Sequence, residues 1–368
     1  MKFTCEKNAL VSAISVASRT VAQKSTIPAL EGIYIRAGVK LTLSGYNLET
    51  GITISVDADI QETGACIMPS RLFFDIIRKL PDDTVSISVD ENFKVSIRGG
   101  ISSFSITAMS SEDYPELPDV GDGREIYIPQ NKLKELISGT IFAVSENQGR
   151  PIHTGVKFEV TNDAITAVAV DGFRLARRTF HPEEGTGREL NFVVPAAGLK
   201  EVEKILTDVE DNAAFTLGTK HILFQVGNAT LVCRLLEGEF IRYRQILPEE
   251  WQTRVTVDRA ELGSAIDRAS LIAREGKSNL VCFKLDGETL EVSSNSETGD
   301  MEEKMQVITE GKDLTIAFNV RYITDVLKAL SDDQIVMRFN SNVSPCVVCP
   351  VEGDSYLYLV LPVRVFNA

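Results

Sequence analysis

Histidine and long apolar runs are scarce in this 368-residue chain, and each scarcity closes off a class of function. The three histidines (His153, His181, His221) lie far apart, without the spacing of metal ligands, so neither a metal nor a catalytic histidine is expected. No nucleophile elbow occurs, and no acidic pair recurs at one place, so no catalytic residues and no cofactor are expected. Gly276-Lys277-Ser278 looks like the end of a phosphate loop, but the glycine that should open it falls at Leu271, and no strand leads in. No stretch approaches the roughly 18 apolar residues of a membrane span. The opening Met1-Lys2-Phe3-Thr4-Cys5-Glu6 lacks the apolar run of a signal peptide, so a cytoplasmic protein is expected.

Aromatic residues make up only 7%, yet 43% hydrophobic residues are ample for real cores. Six cysteines are scattered through strand-like segments, which suits reduced, buried thiols. Cys346 and Cys349 have the spacing of a zinc or redox half-site, but no second pair stands near. Residues three apart on a strand point to opposite faces, so two core thiols are expected. The net charge of −14 speaks, taken whole, against nucleic acid. Either the chain does not bind DNA or its charges are segregated by surface.

What the chain does contain is a threefold repeat. The segments Pro69 to Leu80, Pro195 to Leu206 and Asn319 to Leu330 share a pattern, their ends 126 and 124 residues apart. Leu72, Phe73, Ile76, Ile77 and Leu80 make one apolar stripe at helical spacing, and Tyr322, Ile323, Val326, Leu327 and Leu330 repeat it. The middle copy departs, with Gly198 and Glu203 at two stripe positions. Further helices are predicted over 6–22, 130–146 and 259–274, each after a short strand. Alternating segments such as Val85 to Val89 and Ser103 to Thr107 supply the other strands. Each repeat reads β-α-β-β-β twice, an α+β class. Acidic, turn-rich stretches after Ser110 and Leu247 set domains at 1–122, 123–249 and 250–368.

Three such modules can join edge to edge, with strands continuing outside and helices inside. The helical windows hold 15 Lys or Arg and 9 Asp or Glu, in a chain whose net charge is −14. The segregation is modest, and the middle domain's helices sum to zero. Twelve helices of ~10 Å diameter around a closed dimer would leave a hole of roughly 28 Å, room for a duplex and water. A repeat-built scaffold that binds only proteins is the rival reading.

At this point the chain resembles the bacterial DNA polymerase III beta subunit family along its whole length. The carrying segments are Met1-Lys-Phe-Thr4, Thr26-Ile-Pro-Ala-Leu30, Val168-Ala-Val-Asp-Gly-Phe-Arg-Leu-Ala176, Tyr243-Arg-Gln-Ile-Leu-Pro248, Phe318-Asn-Val-Arg-Tyr322 and Tyr358-Leu-Val-Leu-Pro-Val-Arg364. The resemblance implies three domains of the DNA clamp type, helices lining a ring and antiparallel sheets outside. It implies a non-enzymatic sliding clamp: a head-to-tail homodimer around double-stranded DNA, bound without sequence preference. Replicative DNA polymerase, an ATP-dependent clamp loader, and other polymerases and repair proteins would dock through short peptide motifs.

By the same resemblance the peptide cleft takes Gly172, Phe173, Arg174, Leu175, Ile241, Ile246, Asn319, Tyr322, Val343, Pro345, Val360, Leu361, Pro362, Val363 and Arg364. Arg174 or Arg364 would fix the peptide backbone or an acidic residue; Asp171-Gly172 reads equally as a hairpin turn. Phe173 stands where many relatives have His. Lys24 and Arg150 match basic positions of the family, and Arg71, Arg78, Lys79, Lys200 and Arg274 are candidate phosphate contacts. Pro151-Ile152 replaces a tyrosine pair, which removes a stacking platform. Phe104 and Ile106 on one subunit and Leu271 and Ile272 on the other would form the interface, although each also suits a domain core.

Overall fold

The computed structural model describes residues 1–121, 123–276 and 279–364. Asp122 at the first predicted domain end, and Lys277 and Ser278 of the false phosphate loop, lie outside the described residues. The first repeat runs β1 (Lys2–Glu6), α1 (Lys7–Ala17), β2 (Gly32–Ala37), β3 (Leu41–Tyr46), β4 (Thr50–Val56), β5 (Ala58–Glu62), β6 (Gly64–Pro69), α2 (Ser70–Lys79), β7 (Thr84–Val89), β8 (Lys94–Gly99) and β9 (Ser102–Thr107). The second runs β10 (Ile126–Pro129), α3 (Gln130–Ile141), β11 (Gly155–Val160), β12 (Ile165–Val170), β13 (Arg174–Phe180), β14 (Leu190–Pro195), α4 (Ala196–Ile205), β15 (Asn212–Leu217), β16 (His221–Val226) and β17 (Ala229–Arg234). The third runs β18 (Thr253–Asp258), α5 (Arg259–Glu275), β19 (Leu280–Asp286), β20 (Thr289–Ser296), β21 (Gly299–Gln306), β22 (Ile308–Gly311), β23 (Leu314–Asn319), α6 (Val320–Lys328), β24 (Gln334–Phe339), β25 (Cys346–Pro350) and β26 (Tyr356–Val360). The expected β-α-β-β-β order recurs in all three, with β5 and β22 as extra short strands.

Two helices end before their predicted limits. α1 stops at Ala17 because the chain turns tightly against Gly45: the Ala17 carbonyl oxygen lies 2.0 Å from where a Cβ would stand on Gly45, and the Thr20 hydroxyl donates to the Gly45 carbonyl at 2.8 Å. α3 stops at Ile141, where Ala143 and Val144 donate to Thr140 and Ile141 in tighter i→i+3 bonds and Ser145 N–H turns to the His153 carbonyl.

The chain packs as two compact units, Met1–Leu133 with Ala197–Leu235, and Lys134–Ala196 with Leu236–Ala368. In the first, a five-stranded sheet has the order β5-β1-β7-β8-β9 and an eight-stranded sheet the order β10-β15-β16-β17-β4-β3-β2-β6. β17 pairs antiparallel with β4, Leu231 opposite Ile52, so strands of two successive repeats share one sheet. Alternation in β7 buries Val85 and Ile87 and leaves Ser86 out. Leu10, Ile14, Phe73 and Ile77 from α1 and α2 fill the core against these strands, each worth about 1.5–3 kcal/mol of burial. Leu72, at the margin of the predicted α2 stripe, is 49% exposed and does not belong to the core.

In the second unit a nine-stranded sheet runs β14-β11-β12-β13-β26-β25-β24-β18-β22, and a four-stranded sheet runs β21-β20-β19-β23. Here β13 pairs antiparallel with β26, Arg174 opposite Val360, again joining successive repeats. Ile152, Val168, Val170, Leu175, Val193, Phe240, Tyr243 and Leu359 form one buried cluster beneath this seam. Asp258 caps α5 by accepting from Glu261 N–H at 2.8 Å. No helix is long and apolar enough to cross a membrane among the described residues.

Candidate partner-binding cleft

The β12–β13 hairpin sets one wall in the second unit. Asp171 Oδ1 accepts from the Phe173 and Arg174 backbone N–H groups at 2.9 and 3.0 Å, a self-contained Asx turn. Gly172 has φ +95°, a conformation a side chain would strain. The hairpin reading of Asp171-Gly172 is the observed one, and the turn lifts Phe173 outward, 59% exposed.

Arg174 is the buried centre of this wall. Its Nε donates to Asp171 Oδ2 at 2.9 Å, Nη1 to Asp325 Oδ2 at 2.6 Å, and Nη2 to the Phe142 carbonyl at 2.6 Å. The guanidinium lies over the Tyr322 ring at 4.6 Å and near Phe142 at 5.3 Å. With only 6% exposure, Arg174 supports the wall from behind. The expected grip of Arg174 on a peptide is not its geometry; Arg364 is exposed and keeps that option. Tyr322 in turn stacks under Phe173, ring centroids 6.0 Å apart and 22° from parallel. Burial, then the nearby Asp171, raises the Tyr322 phenol, which stays protonated.

Asn319, Leu175 and Val360 act structurally. Asn319 Oδ1 caps α6 by accepting from Arg321 N–H at 3.0 Å, while Leu175 and Val360 are fully buried floor. The tail is clipped twice: Leu361 N–H donates to the Phe173 carbonyl at 2.9 Å and Val363 N–H to the Ala317 carbonyl at 2.8 Å. That leaves Leu361 and Val363 each 37% exposed, with Val343 (56%), Ile241 (38%) and Ile246 (43%) as further apolar contacts. Pro345 and Pro362 are half-buried beside them.

Ile246 ends a short 3-10 turn, Tyr243–Ile246, held by a buried carboxylate that sequence reasoning missed. Glu159 accepts from the Tyr243 hydroxyl at 2.8 Å, pairs with Lys157 at 2.8 Å, and is bridged by Arg244. Burial alone would push its carboxyl up, but the hydrogen bonds from Lys157 and Tyr243 and these cations win and hold it below the usual range. Phe142 and Asp325 were missed as well. Lys157 and Glu159, alternating with Val156, Phe158 and Val160 in the strand Gly155–Val160, were the available signal.

The other predicted sites are scattered. Arg71, Arg78 and Lys79 on α2, Lys200 on α4, Arg274 on α5, and the loop residues Lys24 and Arg150 are all exposed. Arg78 is partly neutralised by Asp75 at 3.4 Å. Pro151 and Ile152 open a short turn in which Ile152 is buried, so nothing there stacks. Phe104 (40% exposed) and Ile106 lie on β9, an edge strand; Leu271 (64% exposed) and Ile272 lie in the last turns of α5. Five cysteines are buried and Cys282 is half-buried, all as free thiols. Among the described residues no cluster of three metal-ligating side chains occurs.

Comparison with known proteins agrees along the whole chain. Residues 1–118, 127–241 and 244–364 match, in order, the models of the DNA polymerase III beta subunit N-terminal, central and C-terminal domains. The beta sliding clamp of Staphylococcus aureus strain Mu50 is 33% identical over 377 residues, covering all of both chains. The DNA polymerase sliding clamp of Bacillus subtilis, a solved structure, has 33% identity and a TM-score of 0.96 over 100% of each chain. A Pseudomonas aeruginosa DnaN sliding clamp solved bound to griselimycin has 28% identity and a TM-score of 0.93 over 99% of this chain and 100% of that one. With the three clamp domains matched in order and a full-length beta sliding clamp relative at 33% identity, the chain belongs to the DNA polymerase III beta subunit family and is a non-catalytic sliding clamp of DNA replication.

Proposed function

We propose that two copies of this chain close head to tail around duplex DNA and tether the replicative DNA polymerase to it. The carrying observation is strand pairing within each unit: β17 on β4 and β26 on β13 each fuse successive repeats into one sheet. A homodimer extends the same rule between subunits. β9 and β21 are edge strands with free ladders, and a heterologous joint used twice closes two three-module arcs. We take the modules as 1–122, 123–249 and 250–368. Exposed cations on the helices would meet phosphates loosely and without sequence preference, which permits sliding. The chain works in the cytoplasm and is opened by an ATP-dependent clamp loader, since it holds no nucleotide motif of its own. The cleft of Phe173, Tyr322, Ile246, Leu361 and Val363 receives short peptide motifs of the polymerase, the loader and repair proteins.

The test is retention on nicked circular DNA after loading, followed by linearisation. Loss of the labelled chain through free ends supports encirclement; retention on linear DNA at a fixed dissociation constant, or no retention at all, overturns it and leaves the protein-only scaffold. For the cleft, a labelled peptide carrying the polymerase's clamp-binding motif serves as the probe in calorimetry, and Tyr322→Ala should abolish its binding.

A further inference from the structure

We propose that the cleft continues into a trough on the solvent face of the four-stranded sheet, and that this trough takes cationic residues flanking the partner peptide's apolar motif. The proposal rests on the cleft reading above. A cavity of about 740 Å³ begins at Val343, Val363 and Arg364 and runs out over the sheet.

Its floor follows from register. Cys282 stands opposite Ala317 on one side and Ser293 on the other, and Ser293 stands opposite Glu302. Three adjacent strands thus present small side chains in one row, where a solvent-facing sheet ordinarily carries long ones. The neighbouring row shows the contrast: Lys304 pairs with Glu291 at 3.3 Å and Glu302 at 3.0 Å, and Lys284 reaches Glu291 at 4.0 Å, raising a bank of long side chains. The tail, clipped to Ala317 by Val363, forms the opposite bank.

Charge chooses the occupant. Arg364 stands where the trough meets the cleft, and the far end is acidic, with Asp300 and Glu302 both exposed on β21. Asp300 makes no ion pair among the described residues. An extended peptide leaving the cleft would run over a floor without bulk toward the unpaired Asp300 and the Lys304-paired Glu302, so a flank bearing Lys or Arg is favoured over an acidic one.

The experiment uses the full chain and a fluorescein-labelled peptide carrying the clamp-binding motif of the same bacterium's replicative polymerase. Three lengths are compared: the motif alone, and the motif lengthened by four residues, two of them lysine, before or after it. Cys282 is a built-in reporter, because the other five thiols are buried. Burial and then Glu291 raise the Cys282 thiol, so iodoacetamide labelling is followed at alkaline pH. One extension should tighten binding by about three- to tenfold and slow Cys282 alkylation, while the motif alone does neither. Asp300→Lys with Glu302→Lys should erase that gain and leave binding of the bare motif unchanged. If the bare motif binds but neither extension tightens binding or shields Cys282, the trough is wrong and the cleft stands. If the bare motif does not bind, both are wrong.

Discussion

Asp325 Oδ2 lies 2.6 Å from Arg174 Nη1, tying α6 to the hairpin that carries Phe173. The guanidinium thereby fixes both partners of the exposed Phe173–Tyr322 stack, so the cleft wall depends on a side chain a ligand hardly touches. Breaking a buried pair from one side strands the remaining charge and costs more than the pair itself contributes. Arg174→Ala should therefore destabilise the protein by about 3 kcal/mol in urea unfolding and weaken binding of the proposed clamp-binding peptide at least tenfold. Arg174→Lys keeps the charge but not the three-way fork, and should recover less than half of either loss. A fully stable, fully binding Arg174→Ala variant would show the wall to be self-supporting.

Glu159 predicts a pH dependence with a definite sign. Its folded carboxyl is held below the ordinary 4.5, so its contribution is complete above that value and fades as pH falls through the folded one. The stability gap between the parent and Glu159→Gln should be constant from pH 8 to 6 and close progressively below pH 4.5. A gap that widens on acidification would mean that the carboxyl is protonated in the fold. Measuring urea midpoints at four pH values decides this.

Gly198 explains why the middle repeat breaks the stripe seen in the other two. A Cβ there would stand 2.4 Å from Cys233 Sγ, with Cys233 Cβ at 3.3 Å. Gly198→Ala should cost about 1–3 kcal/mol by overpacking, despite the better helix propensity of alanine. In a Cys233→Ala background the same change should cost far less, or turn favourable, because the clashing sulfur is gone. Equal costs in both backgrounds would move the strain elsewhere.

Most of the architecture was legible because the local signals agree with each other. The helical stripe of Phe73, Ile76 and Ile77 and the alternation around Val85 and Ile87 leave no competing period, and both were buried as read. The third repeat then gave the stripe a second time, in Ile323, Val326 and Leu327, all buried. The ends of α1 and α3 were not legible, since α1, for one, stops where a distant Gly45 accepts close approach, a tertiary fact. In the cleft, apolar members could be carried over from motif likeness, but the polar frame could not. Asp325 lies 151 residues from Arg174, and Tyr243 lies 84 from Glu159. Only folding brings those partners together, so Arg174 read as a ligand contact when all three of its nitrogens are engaged inside the protein.

Leu271 offers the sharpest test of assembly, because a head-to-tail dimer uses the same joint twice. At 64% exposure near the end of α5, its side chain adds nothing to the core of its own unit, so Leu271→Asp should leave the fold intact. Burying a carboxylate in an apolar joint costs at least about 2 kcal/mol, and two joints double the cost. Dimer dissociation should then rise by roughly three orders of magnitude. Sedimentation should report a particle of 40.4 kDa for the variant and, for the proposed dimer of the parent, twice that mass. The monomer should still bind the proposed clamp-binding peptide, since every cleft residue lies within a single chain, yet it should no longer stay on nicked circular DNA. A Leu271→Asp protein that remains dimeric and retained on circles would place the joint on some other surface.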